Sequence, residues 1–118
     1  MQPELLDQPL MRDLEARFGR EALAALVETY LEEAALRLRN IADMAGHGDA
    51  AGVGQQAHDL TTSAGTIGVK AVYLLARDIE YACKSGQPAA AFTLAGRLPQ
   101  IAGLCADALR ARFPEVKA

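Results

Sequence analysis

Residues 23–41, with the sequence LAALVETYLEEAALRLRNI, decide the fold class. Apolar residues recur in this stretch at intervals of three and four, the spacing that gathers side chains on one face of an α-helix. The apolar positions are Leu23, Leu26, Val27, Tyr30, Leu31, Ala34, Leu38 and Ile41. Most of the charged residues fall on the other side. The stretch therefore predicts a long amphipathic helix, ending near Gly46, whose apolar face packs against other helices.

Turn signals divide the rest of the chain into four further helices. Aspartates that can cap a helix, prolines at first helical positions and glycines after helix ends mark the bounds. The helices are expected from about Gln8 to Phe18 after the N-cap Asp7, from about Ala50 to Ile67 before Gly68, from about Val69 to Lys84, and from about Pro88 until Pro114. Short connections favour antiparallel packing of sequential helices. The sequence thus predicts one all-α domain over residues 1–118, an up-and-down antiparallel four-helix bundle with a short additional N-terminal helix.

Pro99 lies inside the predicted fifth helix. A proline within a helix removes one backbone hydrogen bond and crowds the carbonyl group four residues earlier, here that of Ala95. We expect either a kink or a break at this position, and the sequence leaves both open.

The composition argues against several classes of protein. The net charge is −3, and the chain lacks the basic tract that is typical of nucleic-acid binding. No apolar run approaches the roughly 20 residues that cross a bilayer, and residues 1–10 lack the basic start and apolar run of a signal peptide. The two cysteines are not spaced as a metal-binding pair, so we expect two structural thiols in a cytoplasmic protein. From the charge and the apolar runs we expect that this protein contacts neither nucleic acid nor membrane.

His58 stands out on the predicted third helix. Projection at about 100° per residue places it about 140° from Val53, away from the apolar stripe and towards solvent. Its neighbours on the helix surface are all small: Ala51, Gly54, Thr61, Thr62 and Gly65. Such space lets a second protein approach the ring, and a neutral imidazole is a good nucleophile near pH 7. The projection alone fits an exposed histidine without a role equally well.

Two segments carry a resemblance to a known family. Residues 57–68, AHDLTTSAGTIG, resemble the signature of histidine-containing phosphotransfer (HPt) domains, which in outline reads AHxLKGSAxxxG. Residues 75–82, LARDIEYA, are similar to the next helix of that family, where LAxx is followed by Leu or Ile and then ExA. The turn at Gly48 and Asp49 also matches. The resemblance covers most of the chain, from the second helix onward.

The resemblance implies that His58 is the phosphoacceptor of a phosphorelay, exposed at mid-height of an elongated four-helix bundle. The partners it implies are response-regulator receiver domains, a hybrid sensor histidine kinase, or both. HPt domains do not phosphorylate themselves, and this chain has no GxxxxGK[ST] loop that would hold ATP. We expect no cofactor of its own and no small-molecule substrate. Mg²⁺ should come with the receiver domain, since no carboxylate cluster lies beside His58 in the sequence.

The chain departs from the family at two positions next to the histidine. The family usually has Lys three residues after the histidine and Gly four residues after it, whereas this chain has Thr61 and Thr62. The lysine is thought to help neutralise the phosphoryl group, and a threonine can only donate a hydroxyl hydrogen bond. Lys70 is a candidate to take over that charge. The residues expected to support the site are Thr61, Thr62, Gly65 and Gly54, and those expected at the binding rim are Asp59, Lys70 and Arg77.

Two other functions remain open at this point. The first is a module of the same fold that has lost transfer activity and only binds a receiver or kinase domain, which the substitutions at Thr61 and Thr62 would allow. The second is an unrelated helical adaptor, in which an apolar rim from Leu10 and Met11 onward contacts another helix.

Restoring the family's lysine tests the role of position 61 in phosphotransfer. We expect Thr61→Lys to raise the rate of phosphotransfer or to prolong the lifetime of the phosphohistidine, because a cation would then lie one turn from His58. Transfer kinetics with a labelled receiver domain measure both quantities. An unchanged or lower rate together with an unchanged lifetime would contradict the role given to this position.

Overall fold

The computed structural model of the chain describes residues 4–117, whose regular elements are six α-helices. They are α1 Gln8–Phe18, α2 Arg20–Gly46, α3 Ala50–Ile67, α4 Lys70–Lys84, α5 Pro88–Ala95 and α6 Leu98–Arg112. Residues 4–117 contain no strand, so the predicted all-α class is confirmed. Within the same range, none of the helices has the combination of length and hydropathy needed to cross a membrane.

Local sequence signals set the ends of the helices that matter most for function. The Asp49 side chain accepts a hydrogen bond of 2.9 Å from the backbone N–H of Gly52, which caps the start of α3. The Asp7 side chain caps α1 in the same way through Leu10. The chain leaves α3 at Gly68, whose left-handed φ of 86° a glycine adopts without strain. The predicted bounds of α1 and α3 are confirmed.

The helices pack as an elongated bundle with principal extents of 42 × 26 × 24 Å. α3 packs most extensively on α4 and then on α2, while α5 and α6 together complete the fourth side. Large side chains that are almost fully buried come from every layer; they include Leu23, Val27, Ile41, Val53, Leu60, Val72, Ile79, Leu98, Leu109 and Phe113. The predicted four-helix bundle with an additional N-terminal helix is confirmed.

The predicted fifth helix is two helices, because the chain breaks before Pro99. α5 ends at Ala95, and Gly96 and Arg97 form a turn in which the N–H of Arg97 donates to the carbonyl of Leu94. Pro99 then lies in the first turn of α6, where its missing N–H removes no helical hydrogen bond. The sequence left a kink and a break open at Pro99, and the structure shows a break.

Leu26 and Met11 differ from expectation. Leu26, which we placed in the apolar stripe of α2, lies at the edge of that stripe and is 45% exposed. Phe18 is also exposed, at the end of α1. Met11 is fully buried instead, so it is part of the core and not of an apolar rim for a partner helix.

Both cysteines are free thiols, as predicted. Cys105 is buried in α6, and its Sγ lies 3.6 Å from the carbonyl oxygen of Leu5. Cys83 is half-buried in α4. Desolvation raises the pKa of both thiols, which keeps them protonated and suits a packing role.

The N-cap of α3 provides a test of this local folding. Asp49→Ala should lower the free energy of unfolding by about 1 kcal/mol, because the N–H of Gly52 loses its side-chain acceptor. Asp49→Ser is the matched control, since a serine hydroxyl can still cap the helix. Urea unfolding measures both variants, and equal losses for alanine and serine would contradict the capping role.

Candidate functional site

His58 lies in the middle of α3, on the edge that faces α4. Its side chain is 55% exposed, so the predicted orientation towards solvent is confirmed. The apolar stripe of the same helix points into the bundle, where Val53, Ala57 and Leu60 are fully buried. The imidazole therefore stands at the border between the core and the solvent, beside the neighbouring helix.

Two glycines of α3 allow α4 to approach closely. A Cβ added to Gly54 would lie 3.0 Å from the Cβ of Cys83, and one added to Gly65 would lie 3.0 Å from Cδ1 of Tyr73. Both distances are shorter than ordinary carbon contacts. Gly54 still borders the imidazole, but Gly65 is covered by the Tyr73 ring. These glycines serve the packing of the two helices. From the sequence we had expected them to leave open space around His58.

The close approach brings a carboxylate from α4 to the imidazole. Nδ1 of His58 lies 2.8 Å from Oε2 of Glu80, whose side chain is only 12% exposed. Since a carboxylate oxygen can only accept, Nδ1 carries the proton of this hydrogen bond. In the neutral ring Nε2 then keeps its lone pair. The part of the chain that the structure describes offers Nε2 no hydrogen-bond partner.

A lysine completes this cluster. Nζ of Lys84 lies 2.7 Å from the same Oε2 of Glu80 that contacts His58. The hydrogen bond from Lys84 lowers the pKa of the Glu80 carboxyl most, and the hydrogen bond from His58 lowers it further, against the opposing effect of desolvation. Glu80 is therefore ionised at neutral pH, and its Oε2 contacts both the imidazole and the lysine.

The cluster borders an open depression of about 410 Å³ between α3 and α4. Its lining consists of Ala50, Ala51, Gly54, Gln55, His58, Glu80, Cys83 and Lys84. Small residues dominate the α3 side, which leaves room next to the imidazole. The depression can admit the reactive group of another molecule to a nucleophilic nitrogen.

The two threonines that replace the family's Lys and Gly are bonded to their own helix. Thr61 Oγ1 donates to the carbonyl of Ala57 at 2.8 Å, and Thr62 Oγ1 donates to that of His58 at 3.3 Å. Such bonds to the preceding turn are common for hydroxyl side chains in helices. Neither side chain brings a charge to the imidazole.

The residues expected at the rim lie in three different places. Asp59 faces α2, where it contacts Arg37 at 3.7 Å. Arg77 is exposed on α4, with its guanidinium 5.6 Å from the centre of the Tyr73 ring. Lys70 pairs with Glu4. Lys70 lies about 15 Å before Glu80 along the axis of α4, so it does not supply charge beside the imidazole.

Sequence reasoning missed the roles of Glu80 and Lys84. A signal exists, because Tyr73, Arg77, Glu80 and Lys84 follow one another at spacings of four, three and four and so form one edge of α4. Interpreting it requires knowing that this edge lies next to His58, and that is a matter of tertiary packing.

Two comparisons with known proteins give matches. The family described as Hpt domain matches residues 25–113. The crystal structure of histidine-containing phosphotransfer protein B (HptB) from Pseudomonas aeruginosa PAO1 is similar, with a TM-score of 0.87 at 16% sequence identity, over 98% of this chain and 100% of that chain. At this identity the likeness concerns the fold alone. Comparison with curated protein sequences finds no significant match.

The lowered pKa of Glu80 can be tested by removing its lysine. Lys84→Met should raise the pKa of the Glu80 carboxyl towards its ordinary value of 4.5, because the largest lowering cause is lost. A carbon-13 NMR titration of the Glu80 carboxyl measures this. Lys70→Met is the control, since Lys70 pairs with Glu4 and should leave Glu80 unchanged. An unshifted titration in Lys84→Met would contradict the assignment.

The contact between Lys84 and Glu80 should also change the free energy of unfolding, and its pH dependence has a defined sign. A carboxyl group whose pKa is lower in the folded state stabilises that state above its ordinary pKa and loses this effect as the pH falls through the lowered value. The stability difference between the unmodified chain and Lys84→Met should therefore shrink as the pH falls below 4.5.

Proposed function

Since the chain belongs to the Hpt domain family of histidine phosphotransfer proteins, we propose that it carries a phosphoryl group on Nε2 of His58. The observation that supports this most is the pairing of Nδ1 with Glu80 at 2.8 Å on a ring that is 55% exposed. This pairing leaves the other nitrogen free and directed away from its internal partner. The family membership also removes the unrelated helical adaptor from consideration.

In the proposed reaction Nε2 attacks the phosphorus of an aspartyl phosphate on a receiver domain. The N–P bond forms while the bond between phosphorus and the acyl oxygen breaks, and the aspartate leaves as a carboxylate. Nε2 has no proton to lose, because the proton of the ring is on Nδ1. The second half of the relay is the same displacement in reverse, towards the aspartate of another receiver domain.

Glu80 is a positioning residue in this proposal. Its carboxylate fixes the ring orientation and the protonated nitrogen, and it stabilises the positive charge that the ring gains when Nε2 bonds to phosphorus. A carboxylate that orients a catalytic imidazole acts in this way in other enzymes. The Glu80 side chain is 12% exposed, and a partly buried pair is screened less than a fully exposed one.

Lys84 is the residue we propose to replace the family's lysine. It lies on α4, in contact with Glu80 at 2.7 Å, and it borders the same depression as His58. A flexible ammonium group there can reach the oxygens of a bound phosphoryl group, which transfer reactions stabilise mainly through positioning and charge. The loss of a cation at Thr61 is then compensated from the neighbouring helix.

The partners follow from the family. Hpt domains work with receiver domains and kinases in phosphorelays, and we propose a response-regulator receiver domain, a hybrid sensor histidine kinase, or both for this chain, in the cytoplasm. We also propose that Mg²⁺ comes with the receiver domain. Within residues 4–117, no three or more His, Cys, Asp or Glu side chains are grouped so that they could hold a metal ion. The carboxylate that contacts His58, that of Glu80, also contacts Lys84.

Phosphotransfer to His58 can be measured directly. Receiver domains of the source organism are phosphorylated with labelled acetyl phosphate, purified and mixed with this protein. We expect acid-labile label on the protein with at least one receiver domain, and less than one tenth of it on His58→Gln. His47→Gln is the matched control, because His47 is exposed at the end of α2 and should keep the full label.

The outcomes separate the functions that remain. Label that depends on His58 supports the relay. Label retained in His58→Gln would contradict the assigned acceptor. Receiver domains that bind the protein without labelling it would instead indicate the transfer-inactive module that the sequence left open.

A further inference from the structure

A second open depression lies between α1, the first residue of α2 and the end of α6. We infer that it binds the phosphate group of a small anionic molecule. Its volume is about 660 Å³, and its lining consists of Arg12, Glu15, Ala16, Arg20 and Arg112. It shares no lining residue with the depression beside His58, so this inference does not rest on the proposed function.

Positive charge is concentrated in this depression. Three of its lining residues are arginines, and the acidic lining residue is Glu15. Glu115 contacts the group through Arg20, so the arginines outnumber the carboxylates by one even when both carboxylates are counted. Arg12 is exposed, and within residues 4–117 it has neither a hydrogen bond nor an ion pair. The local charge is therefore positive in a chain whose net charge is −3.

Contacts with the core and with the chain ends hold two of the arginines in place. The guanidinium carbons of Arg20 and Arg112 lie 4.8 Å and 5.5 Å from the centre of the buried Phe113 ring. Nη2 of Arg20 also donates to the carbonyl of Arg112 at 2.6 Å, and Nη1 of Arg112 donates to the Gln8 side chain at 2.9 Å. Because these side chains are already ordered, a ligand would lose less entropy on binding them.

Some guanidinium donors of this group have no acceptor. Nε and Nη2 of Arg20 form a fork that donates to both oxygens of Glu115, at 2.9 Å and 3.1 Å. The corresponding fork of Arg112 donates no hydrogen bond within residues 4–117, and its Nε is buried. A buried donor without an acceptor is unfavourable, and arginine forks bind oxyanions in pairs of hydrogen bonds. The fork of Arg112 therefore favours an added oxyanion.

Glu15 indicates where this oxyanion would bind. Its Oε1 lies 3.7 Å from Nη1 of Arg20 and 3.6 Å from Nη2 of Arg112. Both distances are longer than hydrogen bonds, so the carboxylate lies between two guanidinium groups without donation from either. A ligand that bonds to both arginines has to displace Glu15, whose side chain is 34% exposed.

A phosphate group suits this donor set better than a carboxylate. The donors come from three helices, and a tetrahedral oxyanion presents acceptors in three dimensions, whereas a carboxylate is planar. A phosphate monoester also carries about −1.5 to −2 charges at pH 7, more than the single charge of Glu15 that it has to displace. Inorganic phosphate and a phosphate ester share this chemistry, and two probes distinguish them.

Titration with inorganic phosphate and with adenosine monophosphate, at constant ionic strength, tests the site. Backbone amide shifts of the nitrogen-15-labelled protein report both the affinity and the location. We expect saturable shifts in α1, at the start of α2 and at the end of α6 with at least one probe. The probe that binds more tightly identifies the free anion or the ester as the preferred source.

Two substitutions should change this affinity in opposite directions. Arg12→Met should lower it at least three-fold, because the cation without an ion pair is removed. Glu15→Gln should raise it at least three-fold, because the competing carboxylate loses its charge. Arg39→Met is the matched control: it removes an exposed arginine about 28 Å further along α2 and should leave the affinity unchanged.

Three results would overturn the inference. The first is the absence of saturable shifts with both probes. The second is a set of shifts confined to the surroundings of His58 and Lys84, which would place the phosphate in the other depression. The third is an affinity that neither Arg12→Met nor Glu15→Gln changes. None of these results bears on the labelling of His58 by a receiver domain, so the proposed function is tested separately.

Discussion

The hydrogen bond between Nδ1 of His58 and Glu80 is the interaction on which the site depends. It requires two helices to lie so close that a carboxylate of one reaches an imidazole of the other at 2.8 Å. Gly54 and Gly65 make this approach possible, because a side chain at either position would press against Cys83 or Tyr73. The packing of α3 on α4 and the chemistry of the ring are thus consequences of the same glycines.

Much of the fold could be predicted from local signals, and the site only in part. The caps at Asp7 and Asp49 and the turn at Gly68 act within one turn of the chain, so the bounds of α1 and α3 could be read from the sequence. The exposure of His58 followed from helical periodicity. The fate of the helix at Pro99 did not, because a kink and a break satisfy the proline equally.

Glu80 and Lys84 show why the site needed the structure. Their spacing along α4 is visible in the sequence, but their meaning depends on the alignment of α4 with α3, which contacts between distant residues determine. The same alignment bears on the departure at Thr61. Lys84, which we propose to replace the lysine that the family usually has on the histidine helix, lies on the adjacent helix and contacts Glu80 there.

The anchored ring also bears on the direction in which a relay runs. Glu80 contacts the imidazole at Nδ1, so in the proposed relay Nε2 would occupy the same place whether a phosphoryl group arrives or leaves. Loading and unloading then share a single path, as microscopic reversibility demands of one displacement at one atom. In the proposed relay, net flow would be set by the hydrolytic free energies and the amounts of the two acyl phosphates, so that this domain would act as an equilibrating junction between the proteins it connects.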